Sequence, residues 1–199
     1  MTTDLFAALP ATDEAAQVRL RARLTTAADR AGLLDVAYRT VDSPVGPLLL
    51  AATGAGLVRV AFTVEGHDAV LESLAGEISP RILAAPARLD RVARELDEYF
   101  TGRRHEFDVD VDFRLAKGFR REVLQHLADI PYGGTRSYAE VAAAAGSPKA
   151  VRAVGTACAR NPVPLVVPCH RVVRSDGSAG RYRGGEEAKR VLLALESAA

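Results

Sequence analysis

The chain has 199 residues, 48% of them hydrophobic and 26% charged, with a formal net charge of +1. That length suits one ordinary domain or two small ones; the apolar fraction excludes a wholly disordered chain, and 16 Gly and 10 Pro scattered along it exclude a collagen-like repeat. No apolar run reaches the thickness of a bilayer, and Thr2, Thr3 and Asp4 behind Met1 lack the basic and apolar regions of a secretory signal, so the expected location is cytoplasmic.

Two cysteines, Cys158 and Cys169, are too few for a disulfide framework or a thiolate-rich metal site. The charge is uneven. Residues 1–112 hold 12 basic and 18 acidic side chains, whereas residues 113–199 hold 14 and 7. A basic C-terminal half attracts phosphates, although a merely solvated face would carry the same charge.

Residues 15–30 read as a helix, with Asp13 as its cap and Val18, Leu20, Leu24, Ala27 and Ala31 on its apolar side. Residues 36–41, 48–52 and 57–62 are extended apolar runs parted by Ser43-Pro44-Val45-Gly46 and Gly54-Ala55-Gly56, which predicts a small antiparallel meander. Residues 76–86 carry the weakest pattern. Leu89, Val92, Leu96 and Phe100 then mark one face of a helix that Gly102 ends. Phe107, Val109, Val111 and Phe113 alternate with Asp108, Asp110 and Asp112, the period of a strand with one buried face. A boundary is expected there, giving an extension at 1–34, a sheet domain at 35–112 and a second domain at 113–199.

The second domain opens on a helix marked by Phe119, Val123, Leu124 and Leu127 and interrupted at Pro131-Tyr132-Gly133-Gly134. Ser137 with Glu140 is a capping box for a short helix through Ala144. Gly146 ends it, and Ser147 caps a second helix with Pro148 in its first position. Two short helices so joined make a helix-turn-helix. Val151, Val154 and Cys158 share the inner side of the second helix, leaving Lys149, Arg152 and Thr156 outward as a candidate DNA surface; two packed helices without a ligand would look the same.

Asn161-Pro162-Val163-Pro164 leads on to Pro168-Cys169-His170-Arg171. Three prolines do not fit a helix interior, so this approach is expected to be extended and rigid. Cys169 beside His170 and Arg171 is expected to have a depressed pKa and useful thiolate content. Taken alone, the residues leave open a structural cysteine, a nucleophile and a metal ligand. The last is disfavoured because Cys158, Cys169, His126 and His170 show no pair-plus-pair spacing. Glu196, four residues after Leu192 on one helical side, is a candidate carboxylate to orient His170.

Pro168-Cys169-His170-Arg171-Val172-Val173, preceded by Asn161-Pro162-Val163-Pro164, resembles the active-site signature of the O6-alkylguanine-DNA alkyltransferases. The likeness runs over residues 36–199. It includes Ile130-Pro131-Tyr132-Gly133, Thr135-Arg136-Ser137-Tyr138, Ser147-Pro148-Lys149-Ala150-Val151-Arg152, Gly180-Arg181-Tyr182-Arg183-Gly184-Gly185 and the stretch from Lys189 to Glu196. The resemblance implies an α+β fold: a ribonuclease-H-like N-terminal domain with an antiparallel sheet, and a helical, winged-helix-like C-terminal domain containing the helix-turn-helix. It also implies irreversible transfer of the alkyl group from O6-methylguanine in duplex DNA, and from O4-methylthymine in some members, to the protein's own cysteine, with no cofactor and no obligate protein partner.

By the same resemblance Cys169 matches the alkyl acceptor, His170 the base acting through water, and Glu196 the carboxylate that holds the histidine. Tyr138 matches the tyrosine that assists departure of the base oxygen and rotates a phosphate, and Asn161 the asparagine that fixes the turn before the active-site segment. Pro168, Val172, Tyr182 and Arg183 match the base pocket, whose loop closes over a nucleotide flipped out through the minor groove. Arg152 matches the arginine that fills the vacated stack; Lys149, Thr156, Arg136, Arg160 and Arg174 are further candidates for DNA contact. Arg183 departs from the Ser of some relatives, which puts pocket width in doubt, and no N-terminal Cys-His cluster is present, so no metal is implied. Three rival functions are a lesion-binding relative without repair activity, against which Cys169 itself argues, a helix-turn-helix transcription regulator, which would prefer an undamaged operator, and a cysteine hydrolase, which would turn over repeatedly.

Overall fold

A computed structural model describes residues 13–197; residues 1–12 of the expected extension, and 198–199, lie outside the described residues. The chain divides into two compact units, Met1–Leu34 and Asp35–Ala199. In the first, α1 (Glu14–Arg30) begins where the Asp13 carboxylate accepts from the Ala16 amide at 3.1 Å, satisfying one of the amides a helix start leaves unpaired. Val18, Leu20 and Leu24, expected on an apolar side, are exposed.

The second unit starts with β1 (Val36–Val41), β2 (Leu48–Thr53) and β3 (Gly56–Phe62), an antiparallel meander with Thr40 opposite Leu49 and Leu50 opposite Val60. α2 (His67–Glu77) follows, then β4 (Ile82–Ala84), which runs parallel to β1 and gives the sheet order β3-β2-β1-β4. Neither α2 nor β4 was expected. β4 is three residues long, too short for a period, and lies in the stretch read as weakest, so the sheet is mixed rather than wholly antiparallel. Leu48, Leu49, Leu50 and Ala51 of β2 are all buried, because both faces of the sheet are covered. Val70 and Leu74 of α2 join Val36, Leu49, Ala51, Val58 and Ala61 on one face. Each large aliphatic side chain so removed from water contributes about 1.5–3 kcal/mol.

A 3-10 turn at Pro86–Leu89 packs against β1 and β2 and leads into α3 (Asp90–Phe100), whose buried side is Val92, Glu95, Leu96 and Tyr99 rather than the expected Phe100. The chain leaves α3 through Gly102 at φ +71°, with the Gly102 amide bonded to the Tyr99 carbonyl. Residues 107–113 do not form the expected strand. They make one isolated parallel bridge, Leu57 with Val111, while Asp108 and Asp110 stay exposed and only Asp112 turns inward. Asp112 caps a 3-10 turn at Phe113–Leu115 and accepts from Thr53 at 2.6 Å, while the Asp108 amide donates to the buried Glu95 at 2.8 Å. Gly56, at φ +132°, is required at this crossing because a Cβ would overlap the Asp110 backbone.

Beyond lie α4 (Phe119–Leu127), β5 (Arg136–Ser137), α5 (Tyr138–Ala144), α6 (Val151–Ala159), β6 (Val172–Val173) and α7 (Gly185–Ser197). α4, α5 and α6 pack on one another, and β5 pairs in parallel with β6. Both bonds of the Ser137–Glu140 capping box are present. α6, however, starts at Val151 and not at Pro148: Ser147 accepts from the Ala150 amide to close a separate turn, and Val151 is exposed instead of facing inward. Among the described residues no helix is long and apolar enough to cross a membrane.

Candidate active site

The approach to Cys169 is a buried reversal and not the extended strut that its prolines suggested. The Val167 amide bonds to the Val163 carbonyl at 2.9 Å, and Leu165 takes φ +75°, a left-handed conformation that costs a non-glycine residue about 1 kcal/mol. Asn161, fully buried, over-determines the turn: its amide nitrogen donates to the Val167 carbonyl at 2.8 Å and its oxygen accepts from the Val163 amide at 3.0 Å. Pro168 then has φ −81° and ψ 62°, with the Cys169 amide bonded back to the Val167 carbonyl at 2.8 Å, an inverse γ-turn for which the proline ring supplies the φ. Cys169, His170 and Arg171 follow as one buried 3-10 turn.

α7 brings Glu196 to this turn. Its buried residues Ala188, Lys189, Leu192 and Glu196 form one face, so the carboxylate is carried inward on the same stripe as Leu192. Glu196 Oε1 accepts from His170 Nε2 at 2.8 Å, Arg171 Nη2 at 2.9 Å and the Tyr99 hydroxyl at 2.7 Å; Oε2 accepts from Arg171 Nε at 2.9 Å and the Gly133 amide at 3.2 Å. Burial alone would raise its pKa, but the His170, Arg171 and Tyr99 hydrogen bonds outweigh that and hold it down to about 2. Arg171 balances the carboxylate's charge, and burial lowers the pKa of His170. An ionised carboxylate only accepts, so Nε2 of the neutral imidazole carries the proton. Nδ1 presents a lone pair, is buried and has no hydrogen-bond partner among the described residues.

Cys169 is 2% exposed, and burial raises its thiol to about 11, against the expectation of a depressed pKa. The reason is geometric: the Arg171 guanidinium is spent on Glu196 and His170 is uncharged, so neither neighbour in sequence offers the sulfur a cation. The partial compensation comes from elsewhere, first a hydrogen bond from the Asn161 side chain and then the charge of Lys189. Lys189 is fully buried, and its Nζ donates to the Val172 carbonyl at 2.6 Å. That leaves the Val172 oxygen one lone pair.

Tyr138, at the first position of α5, is half-buried, its pKa raised by burial and then by the nearby Cys158 and Cys169 sulfurs. Its ring fits between two glycines. A Cβ at Gly155 would lie 4.0 Å from the ring, and one at Gly180, where φ is +64°, would lie 2.9 Å from the hydroxyl. The Tyr182 ring stands edge-on to both His170 and Phe62, with centroids 6.3 and 5.5 Å apart, and its hydroxyl is buried with no hydrogen-bond partner among the described residues. The Arg183 guanidinium is bonded to Glu65, in the turn after β3. Cys169, His170, Glu196, Asn161, Tyr138, Pro168, Val172 and Tyr182 are thus gathered in one region. Arg152 and Thr156 on α6, Lys149 before it and Arg136 on β5 are exposed; the Arg152 side chain has no ion pair or hydrogen bond among the described residues, and Thr156 bonds back to the Arg152 carbonyl at 3.1 Å. Arg160 and Arg174 are also exposed.

Sequence reasoning missed Tyr99, the role of Arg171, the contact made by Lys189, and Glu65. For Lys189 a signal existed: it falls three residues before Leu192 and seven before Glu196, a charged residue on an apolar stripe. Tyr99 and Glu65 reach the site from distant parts of the chain and leave no local trace. Among the described residues no group of three or more His, Cys, Asp or Glu side chains converges as a metal-ligand set.

Residues 36–113 match the family model described as the 6-O-methylguanine DNA methyltransferase ribonuclease-like domain, and residues 118–198 match the DNA binding domain of the same family. The methylated-DNA--protein-cysteine methyltransferase of Mycobacterium tuberculosis is 40% identical over 159 residues, which is 80% of this chain and 91% of that one. The constitutive enzyme of that name from Bacillus subtilis is 36% identical over 163 residues, 80% and 94% of the two chains. Among solved structures, Mycobacterium tuberculosis OGT in complex with DNA superposes with a TM-score of 0.70 at 39% identity, covering 81% of this chain and 93% of the other.

Proposed function

We propose, for a chain that belongs to the 6-O-methylguanine DNA methyltransferase family, direct repair of duplex DNA by irreversible transfer of the alkyl group of an O6-alkylguanine to Cys169. The observation that carries this reading is the buried His170, clamped by Glu196 through Nε2 and free at Nδ1, next in sequence to the buried thiol. A thiol raised to about 11 holds only about one part in ten thousand as thiolate at pH 7, so deprotonation accompanies transfer. The proton leaves Sγ for His170 Nδ1 through a water, the sulfur attacks the alkyl carbon in line with O6, the carbon–oxygen bond breaks, and the leaving base takes a proton from Tyr138. His170 returns its proton to Tyr138 by way of solvent. The sum converts a thiol and an alkylated base into a thioether and a normal base. The thioether has no leaving group, so each chain acts once.

The uncommitted Arg152 on α6 supports minor-groove binding in which its side chain replaces the flipped nucleotide, with Lys149, Arg136, Arg160 and Arg174 toward phosphates and Thr156 on the same helix face. Under this reading residues 113–199 bind DNA and accept the alkyl group, residues 35–112 support them, and the 1–34 extension lies outside the repair core. Cys169, Pro168, Val172 and the loop of Tyr182 and Arg183 bound the base, with Asn161 holding the turn and Glu196 the histidine. Transfer needs a reduced thiol, which suits the cytoplasm; no protein partner or cofactor enters. The test is incubation with an O6-methylguanine duplex followed by peptide mass analysis. One methyl on Cys169, none on Cys158, and loss of transfer with retained DNA binding in Cys169→Ala are expected; an intact lesion, or more than one methyl removed per chain, would overturn the reading.

A further inference from the structure

The loop that closes the base site is seated on the sheet domain through one carboxylate. Glu65 is nearly buried. Its Oε1 accepts from the Phe62 amide at 3.0 Å, closing its own turn, and its Oε2 takes both the buried Arg59 and Arg183. Arg59 is held in turn: the Val60 amide and the Arg59 guanidinium donate to the Pro162 carbonyl at 2.8 and 3.4 Å, beside Asn161. The loop also rests on Phe62, whose ring meets Tyr182 edge-on and would lie 2.7 Å from a Cβ at Gly184. A guanidinium at position 183 is a large group beside a pocket that must admit an alkylated base, and here it is drawn off toward β3.

We infer that Glu65 is a specificity-determining positioning residue: it sequesters the Arg183 side chain away from the lesion side of the base site and so sets the size of alkyl group the site admits. The inference rests on the repair reading above. Two cations share this carboxylate, so without it Arg59 and Arg183 repel and the more exposed Arg183, 29% accessible against 7%, is the one released.

The test compares single-turnover transfer from O6-methylguanine and O6-benzylguanine duplexes by wild type, Glu65→Gln, Arg183→Ser and the double variant. Glu65→Gln is expected to slow benzyl transfer about tenfold and methyl transfer about threefold, the size of effect a lost charge-assisted hydrogen bond produces. Arg183→Ser in the Glu65→Gln background is expected to restore both rates to within about twofold of Arg183→Ser alone, because the side chain that Glu65 restrains is gone. A double variant as slow as Glu65→Gln makes Glu65 a fold-supporting residue only and overturns the assignment, as does an unchanged methyl-to-benzyl ratio in Glu65→Gln. Should Glu65→Gln not fold, Arg183→Ser decides: hydrogen exchange at the Gly185 amide, bonded to the Tyr182 carbonyl at 3.1 Å, is expected to rise about tenfold, and no rise overturns the seating. Wild type that moves neither alkyl group sinks the repair reading and this inference with it; wild type that transfers, with no rescue in the double variant, sinks this inference alone.

Discussion

Replacing Glu196 by Gln removes one negative charge and leaves Arg171, only 6% exposed, facing a neutral amide. Breaking a buried pair from one side costs about 3–5 kcal/mol, because a desolvated charge loses its partner. An independent route reaches a similar size. The carboxyl is held at about 2, against an ordinary 4.5, which corresponds to about 3 kcal/mol of native stability. Because the folded pKa is the lower one, that contribution is whole above about pH 4.5 and disappears as pH falls through about 2. By pH 3 about 2 kcal/mol of it is gone. Urea unfolding of wild type and Glu196→Gln from pH 7 to pH 3 should therefore show a gap of about 3–5 kcal/mol at neutrality that narrows by about 2 kcal/mol in acid. A gap that keeps its full width at pH 3, or a variant as stable as wild type at pH 7, would refute the ion-pair account of this cluster.

Three further outcomes follow from the same geometry. Tyr99→Phe deletes one donor but leaves Glu196 the bonds from His170, Arg171 and Gly133, so stability should fall by about 1–2 kcal/mol in denaturant and transfer by less than about tenfold; a loss equal to that of Glu196→Gln would contradict this. With the His170 pKa lowered by burial and Cys169 raised to about 11, the transfer rate should be level between about pH 6.5 and 9, and an inflection near 8.5 in single-turnover assays would mean the thiol ionises as an ordinary cysteine. Gly180→Ala places a methyl 2.9 Å from the Tyr138 hydroxyl and should slow transfer by at least about tenfold, whereas Gly177→Ala, equally left-handed at φ +82° but with open space around it, should not.

What the amino-acid order made legible depended on how local the cause was. The capping box at Ser137 and Glu140 and the cap at Asp13 are decided within three residues, and both stand where the pattern put them. The meander was readable because turn residues flank each apolar run, but β4 owes its existence to its pairing with Val36, Ala37 and Tyr38, which no window around residue 82 contains. Alternation at 107–113 misled because it tracked exposure alone: Asp108 and Asp110 do face solvent, but the backbone finds a single ladder partner, Val111 with Leu57, and Asp112 turns inward to bond Thr53. At the site, Glu196 could be marked from its spacing to Leu192 as an inward-facing candidate to orient His170, and the family resemblance implied the same role. The raised Cys169 pKa was not readable, since it follows from where the Arg171 guanidinium points and from burial that many distant residues create.

The hydroxyl that Tyr99 extends from α3 to Glu196 means that the PCHR half of the molecule is not a modular cassette. A graft of residues 113–199 onto another scaffold would carry every residue of the signature and still arrive with the histidine's carboxylate short of a donor. A change at position 99 therefore alters the donor set of a carboxylate ninety-seven residues away.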